Sequence, residues 1–243
     1  MRFDYGEKNP ERLAIAIDIA SSELELNSHC VMSNESLWRF YDDKQSNPMG
    51  ILATRSGILS AVSAAYVLNH DEIFRAAARL LVLRGKDLVD LVQRPCVPGI
   101  ELCLAILLGD ALATADIATA ILNLPVNLAS HPEDGMSMVI AKLVAGKAES
   151  TNVLLGNLPR FQGLSKSDLE GWRLWTEAVS NKGIAQEALD ALIAHEKRIV
   201  RTELSKLARG KESCLSSLDL VCFNLEALKL LCHDSNQPKS SFA

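Results

Sequence analysis

The hydrophobic and polar positions of this chain follow the helical period almost throughout. Between residues 51 and 124, Ala- and Leu-rich segments at 76–83, 100–108 and 111–122 follow one another with only short polar breaks. Helices this apolar must be covered by other helices, so the stretch is predicted to form the buried spine of an all-α protein. No segment alternates apolar and polar residues with a period of two, so neither a strand nor a sheet is predicted.

Local start and stop signals set the predicted helix ends. Asn9 and Pro10 combine a side-chain cap with proline at the first helical position. The helix that follows has an apolar face and a separate acidic one. The apolar face carries Leu13, Ile17, Ala20 and Leu24, and the acidic face carries Asp18 and Glu25. A polar stretch at 27–34 is expected to end this helix, and a short helix at 37–41 is expected to follow.

Further boundaries follow from glycine, proline and polar clusters. Loops are predicted by composition at 42–48 and 131–135, with a small-residue helix at 49–68 that allows close helix approach. Asn69, His70 and Asp71 could cap the next helix, and Gly85 and Gly210 are expected to act as stops. Other helices are predicted at 86–93, 138–144, 151–158 and 184–207. Ser167 and Glu170 have capping-box spacing, and the last helix should start at Ser213 or Ser217.

The pattern predicts about ten to twelve helices in a bundle or solenoid-like array. No repeat of the tetratricopeptide or ankyrin length is present. The 243 residues suit a single all-helical domain spanning 1–243, with a candidate subdomain boundary near the polar zone 147–166.

Charge and hydropathy narrow the function classes. The net charge of −5 argues against broad nucleic-acid binding, which needs a Lys/Arg excess. Acids exceed bases by 11 to 8 in residues 1–81 and by 8 to 6 in 82–162, whereas 163–243 is balanced at 11 each. No apolar run reaches the length of a membrane span, and the charged N-terminus is unlike a signal peptide. A cytoplasmic protein that does not bind membranes is expected.

Neither a metal site nor a cofactor site is predicted. The six cysteines lack C-x-x-C spacing and the five histidines are dispersed, so zinc and di-iron patterns are missing. Cys222 and Cys232 lie in an apolar helical pattern and are expected to be core thiols. His195, beside Glu196, Lys197 and Arg198, is expected to be exposed.

The usual catalytic signatures are also missing from the sequence. It contains no phosphate-binding loop, dinucleotide fingerprint or nucleophile elbow. Acidic pairs occur at Asp42/Asp43, Asp87/Asp90 and Glu133/Asp134, and a solvated face explains each pair at least as well as acid–base chemistry. No catalytic residue is assigned, and a protein other than an enzyme is expected.

The basic run that begins at Lys197 and Arg198 could suggest nucleic acid. It continues through Arg201, Lys206, Arg209 and Lys211. Glu196, Glu203 and Glu212 are interleaved with it in the typical pattern of a solvated helix, and its helix has no aromatic residue for base stacking. Nucleic acid is therefore not an expected partner.

Protein binding is the function that the remaining features favour. Trp38 or Tyr41 could anchor a partner beside Asp42 and Asp43, since aromatic residues often dominate binding energy and charge complementarity speeds encounter. Burial of Trp38 and Phe40 in the core explains the aromatic residues equally well. Glu133 and Asp134 form a second acidic loop in this interpretation. Apolar content also leaves room for a homodimer.

The helix at 76–83 with its exit at 84–87, and the double helix at 100–121 broken at Gly109 and Asp110, resemble bacterial immunity proteins. The resemblance is to those of polymorphic-toxin and type VI secretion systems, with immunity protein family 49 the nearest. It covers roughly residues 50–125. It implies a cytoplasmic protein that binds a cognate toxin effector, often a nuclease, and occludes its active site. An acidic inhibitor suits the positive cleft of a nuclease.

Two other functions stay open. A helical adaptor or chaperone for a secreted protein would bind several partners or an extended segment more weakly. A small-molecule enzyme in a helical bundle would need a buried acid, for which Asp87, Asp90 and Asp110 are the candidates. A deep polar pocket around one of these acids would favour that alternative, and a solvent-facing position would count against it.

Overall fold

The computed structural model describes residues 9–32, 48–85, 89, 97–124, 132–146, 166–180 and 183–236. Within these ranges it contains nine helices, slightly fewer than predicted, and the all-α class is confirmed. The helices are α1 Pro10–Met32, α2 Pro48–Leu68, α3 Asp71–Arg84, α4 Gly99–Leu108, α5 Ala111–Leu122, α6 Pro132–Val144, α7 Lys166–Ala178, α8 Gln186–Leu207 and α9 Phe223–Asn236. The predicted segments at 37–41, 86–93 and 151–158 lie outside this part of the chain, apart from residue 89.

One short extended pairing lies between α7 and α8. The strands β1 Val179–Ser180 and β2 Gly183–Ile184 run antiparallel, with Val179 opposite Ile184. Each strand is two residues long, too short to give the alternation by which a strand is recognised in a sequence. This pairing leaves the fold class unchanged.

The chain forms two compact units. The first comprises residues 1–96 and 195–222, and the second comprises 97–194 and 223–243. The candidate boundary near 147–166 falls almost entirely on residues outside the description, so it stays a prediction.

Small side chains hold the first unit together. α1 packs on α2, and α2 packs on α3. Ala16 and Ala20 of α1 are fully buried, as are Ala61, Ala64 and Ala65 of α2. Because helix separation depends on the side chains at the contact, alanines let these axes come close. Of the small residues predicted to allow close helix approach, Ala61, Ser63, Ala64 and Ala65 are buried, whereas Ala53 and Ser56 are exposed.

The second unit has a conventional aliphatic core with two tight contacts. α4 packs against α5, α6 and α9, and α5 packs against α6. Its core includes Leu102, Leu104, Ile117, Ile121 and Ile140. Glycines allow the tight contacts: α4 starts at Gly99 against Ser137 of α6, and Gly135 of α6 lies under the indole of Trp172 in α7.

Both composition-based loop predictions were wrong at a proline. Pro48 is the first residue of α2 and Pro132 is the first residue of α6. Proline is favoured at the first helical position, where its missing N–H is not needed. The acidic pair Glu133 and Asp134 therefore lies in the first turn of α6 and not in a loop.

Other predicted helix ends were also displaced. α1 continues through 27–32, where Asn27 Nδ2 donates to the Glu23 carbonyl at 2.8 Å instead of breaking the helix. Ser167 is the second residue of α7 and not its cap, and the last helix begins at Phe223. By contrast, α3 ends at Arg84 with Gly85 at its C-cap, as predicted, although Gly85 has a right-handed φ of −54°. Gly210, with φ +66°, takes the left-handed form that ends α8.

Candidate functional site

The exposed side of α1 carries a row of carboxylates at intervals of seven residues. Glu11, Asp18 and Glu25 are all exposed. Two helical turns separate successive members, so they lie on one face about 10 Å apart and span about 21 Å along the helix. We call these three residues the acidic ridge. The sequence placed Asp18 and Glu25 on an acidic face, and Glu11 extends that face by two turns.

The acidic ridge is accessible and its charges are not neutralised locally. Within the described ranges, none of its three carboxylates forms an ion pair. Its neighbours Ala14, Ser21 and Ser22 are small and exposed. Leu26 is 70% exposed beside Glu25, and Ile17 is 37% exposed. The expectation that Ile17 belongs to the buried face is wrong, because Ala16 and Ala20 take that position. The face thus combines like charge with accessible apolar surface.

The opposite side of α1 is fixed by a buried polar contact. The Glu23 carboxylate accepts hydrogen bonds from the Ser217 backbone N–H at 3.2 Å and from the Ser217 hydroxyl. Ser217 is fully buried, and its hydroxyl also lies 3.2 Å from the Ser60 carbonyl of α2. This contact joins α1, α2 and the 217–220 turn, and it holds the acidic ridge outward.

Replacing Glu23 by Ala is expected to lower the free energy of unfolding by about 1–3 kcal/mol, because buried donors of Ser217 lose their acceptor. Glu25→Ala is the matched control. It removes the same group two residues away on the exposed side, where changes stay within about 0.5 kcal/mol. Urea unfolding followed by circular dichroism measures both. Equal losses in the two variants would contradict a structural role for the Glu23–Ser217 contact.

Most of the interface residues proposed from the sequence fall outside the described part of the chain. These are Trp38, Tyr41, Asp42 and Asp43, together with the side chain of Glu133. Asp134 is half-buried in the first turn of α6, where a carboxylate interacts favourably with the helix dipole. The role of these residues in binding stays a prediction.

His195 is buried, at 4% exposure, and its expected exposure was wrong. It follows Leu192 by three residues on the covered side of α8, so its charged sequence neighbours are poor guides to its environment. Arg198 Nη2 lies 2.9 Å from its Nδ1. Since a guanidinium only donates, Nδ1 accepts and the ring proton sits on Nε2. Within the described residues, no three His, Cys, Asp or Glu side chains group as metal ligands.

Of the three acids proposed as catalytic candidates, Asp110 has a structural role. Asp110 is exposed and caps α5, its Oδ1 accepting from the Ala113 N–H at 3.0 Å, which counts against a buried acid there. Asp87 and Asp90 lie outside the description. Glu101, in the first turn of α4, is fully buried and has an interaction partner. Nothing in its sequence context distinguishes it from an exposed first-turn acid.

The cysteines divide between core and surface. Cys103 and Cys232 are buried, with each Sγ 3.1 Å from an amide oxygen, of Asn224 and Gln186 respectively. Core placement is therefore confirmed for Cys232, whereas Cys222 is half-buried. Cys214 is exposed.

The fold and the acidic ridge define an all-α protein with an exposed, acidic helix face. Comparisons with protein-family models, curated proteins and solved structures gave no match to this chain. Among the helices that the structure describes, none has both the length and the apolar character needed to cross a membrane.

Proposed function

We propose that this chain binds a basic surface of another protein through the acidic ridge, and that this partner is a toxin effector which it neutralises. The observation that supports a binding role is the set of three exposed carboxylates at seven-residue intervals, none of them in a local ion pair. The toxin as partner class comes from the resemblance to immunity proteins.

Charge and apolar surface have separate parts in this mechanism. Three carboxylates along about 21 Å of helix add their fields, which raises the association rate with a basic surface. Leu26, 70% exposed, can then be covered by the partner, and burying a leucine side chain contributes about 1.5–3 kcal/mol. A nuclease effector fits this arrangement because its substrate requires a positive cleft. Occupation of that cleft by the acidic ridge would block the substrate.

The first experiment identifies the partner. The tagged chain is pulled from its native cells under a high-salt wash, and the bound proteins are identified. The proposal expects one stoichiometric protein that is toxic when expressed alone and harmless when co-expressed with this chain. Several sub-stoichiometric partners, or a partner without toxicity, would overturn it in favour of an adaptor.

Charge reversal then tests the acidic ridge. Glu11→Lys, Asp18→Lys and Glu25→Lys together are expected to raise the Kd for that partner by about tenfold or more, since each exposed ion pair contributes about 0.2–1 kcal/mol. The control is Asp116→Lys, Glu187→Lys and Glu212→Lys. It changes the net charge equally at exposed positions that do not belong to α1, and Glu187, like Glu11, lies in a first helical turn.

The salt dependence of association separates the two sets of variants. The ridge variant should lose the acceleration at low salt that the control keeps. An unchanged Kd in the ridge variant would place the acidic ridge outside the interface. The same measurement on Asp42→Lys, Asp43→Lys, Glu133→Lys and Asp134→Lys tests the interface proposed from sequence.

A further inference from the structure

The basic residues of α8 are sorted by the helix although they alternate with acids in the sequence. At 100° per residue, Arg198, Arg201 and Arg209 fall within about 80° of arc, whereas Glu196 and Glu203 project to the far side. Arg198 and Arg209 are exposed and Arg201 is half-buried. The two acids that alternate with these arginines in the sequence therefore lie on another side of the helix, where Glu203 pairs with Lys206.

A fourth arginine joins this side of α8 from α1. Arg12 Nη1 donates to Ser205 Oγ at 3.0 Å, and this hydroxyl donates to the Arg201 carbonyl at 2.7 Å. Arg209 Nε donates to the Ser205 carbonyl at 2.9 Å. Ser205 therefore contacts the guanidinium groups of Arg12 and Arg209, which come from two distant segments of the same unit. We call Arg12, Arg198, Arg201 and Arg209 the arginine face.

The nearby acid Glu203 is engaged elsewhere. Its carboxylate pairs with Lys206 Nζ at 2.6 Å and accepts from Ser213 Oγ at 3.1 Å. The Lys206 hydrogen bond, helped by Ser213, lowers the pKa of Glu203 below its usual 4.5. Arg198 and Arg209 each use one donor on an uncharged acceptor, His195 Nδ1 and the Ser205 carbonyl. A guanidinium has five N–H donors, so both retain donors for a ligand.

We propose that the arginine face binds an Asp/Glu-rich segment of another protein. Guanidinium forks match carboxylates in bidentate geometry, and Arg198 to Arg209 spans about 17 Å, the length of a short extended segment. One observation favours a protein over nucleic acid: α8 has no aromatic residue on which bases could stack. This surface does not depend on the function of the acidic ridge.

A fluorescent peptide of ten alternating Asp and Glu residues, titrated into the full chain at low salt, tests this surface by anisotropy. Arg198→Glu with Arg209→Glu is expected to raise the Kd by about tenfold or more. Arg75→Glu with Arg79→Glu, two exposed arginines one turn apart on α3 in the same unit, should leave it within about twofold. If circular dichroism shows that the charge-reversal variant does not fold, Arg198→Gln with Arg209→Gln replaces it. This variant is expected to weaken binding less.

Each of the following outcomes would overturn the proposal. Absence of peptide binding, or equal loss in the α3 control, would remove the arginine face as the site. Stronger competition by an oligouridylate than by unlabelled peptide would make the ligand a nucleic acid. Self-association in sedimentation that is abolished by reversal of the acidic ridge would make the occupant a second copy. The assay contains no toxin, so failure of the arginine-face proposal is distinct from failure of the proposed function.

Discussion

Replacing Trp172 by Ala is expected to lower the free energy of unfolding by about 3–5 kcal/mol. The side chain is 1% exposed and is among the largest buried groups of the described residues. Its indole lies against Gly135, where an added Cβ would come within 2.8 Å of Cη2. Loss of the ring removes the contact between α7 and the first turns of α6, and the backbone at Gly135 cannot fill the space. Total stabilities of about 5–15 kcal/mol make this a large loss.

Leu169→Ala is the matched control for this variant, because it truncates an apolar side chain one turn earlier on α7. Leu169 is 45% exposed, so we expect a loss of about 0.5 kcal/mol or less. Urea unfolding gives both values, and Trp172→Phe, which keeps an aromatic ring, provides an intermediate value if the Ala variant does not fold. A loss from Trp172→Ala no larger than that from Leu169→Ala would contradict the packing described for the second unit.

Some local capping signals could be predicted well, although the Ser167 capping box and the helix start at Ser213 or Ser217 were wrong. Asn9 Oδ1 accepts from the N–H groups of Glu11 and Arg12, as the Asn-Pro start signal predicted. Gly109 and Gly210 take left-handed φ values of 70° and 66° at the ends of α4 and α8. Such signals depend on a few adjacent residues, so they are visible in a linear sequence.

A proline beside a polar cluster can indicate either a loop or a helix start, and the wrong structure was predicted at two such prolines. Pro48 and Pro132 each follow a polar run and were predicted to lie in loops. The same residue can end one element or occupy the first position of the next helix. Only the packing of the following turns distinguishes these cases, because a helix start is stabilised mainly by burial of its apolar face.

The side of a helix that is buried depends on partners that a linear pattern does not reveal. On α1 Ile17 and Ala20 were placed on one apolar face. Ala20 is buried as predicted, but Ala16 is buried beside it against α2 and Ile17 is exposed. His195 was misassigned for the same reason, since charged neighbours at 196–198 mask its position after Leu192. Residue size and charge describe what a side chain prefers, whereas burial follows from which helix lies next to it.

The two charged surfaces also differ in how far a linear sequence predicts them. The seven-residue spacing of Asp18 and Glu25 was visible in the sequence, so two of the three residues of the acidic ridge were already predicted as a face. The alignment of Arg198 and Arg201 on α8 follows from the helical period, but the addition of Arg12 was not predictable, because Arg12 reaches Ser205 across 193 positions of the chain. The acids favoured from sequence at 42–43 and 133–134 were chosen by composition, which does not report how charges align on a folded helix.

Gly99→Ala is expected to destabilise the chain by about 1–3 kcal/mol or more, through overpacking. A Cβ at Gly99 would lie 1.8 Å from Ser137 Oγ and 2.5 Å from Ser137 Cβ. Ser137 is 4% exposed and lies within α6, so neither its hydroxyl nor its backbone can retreat without moving a helix. The start of α4 would have to move away from α6, exposing part of the aliphatic core around Leu102.

The double variant Gly99→Ala with Ser137→Gly separates this clash from other causes. Removing both Oγ and Cβ of Ser137 leaves its Cα 3.8 Å from the new methyl group, an ordinary contact. Ser137→Gly alone should cost about 0.5 kcal/mol of helix propensity, yet it should partly rescue Gly99→Ala, giving a coupling energy above about 0.5 kcal/mol. Gly146→Ala, with no atom within 4 Å and φ +67°, should lose about 1–2 kcal/mol from backbone strain alone. Ser137→Gly should not rescue that control, and simple additivity at Gly99 would show that the α4–α6 contact is looser than the structure describes.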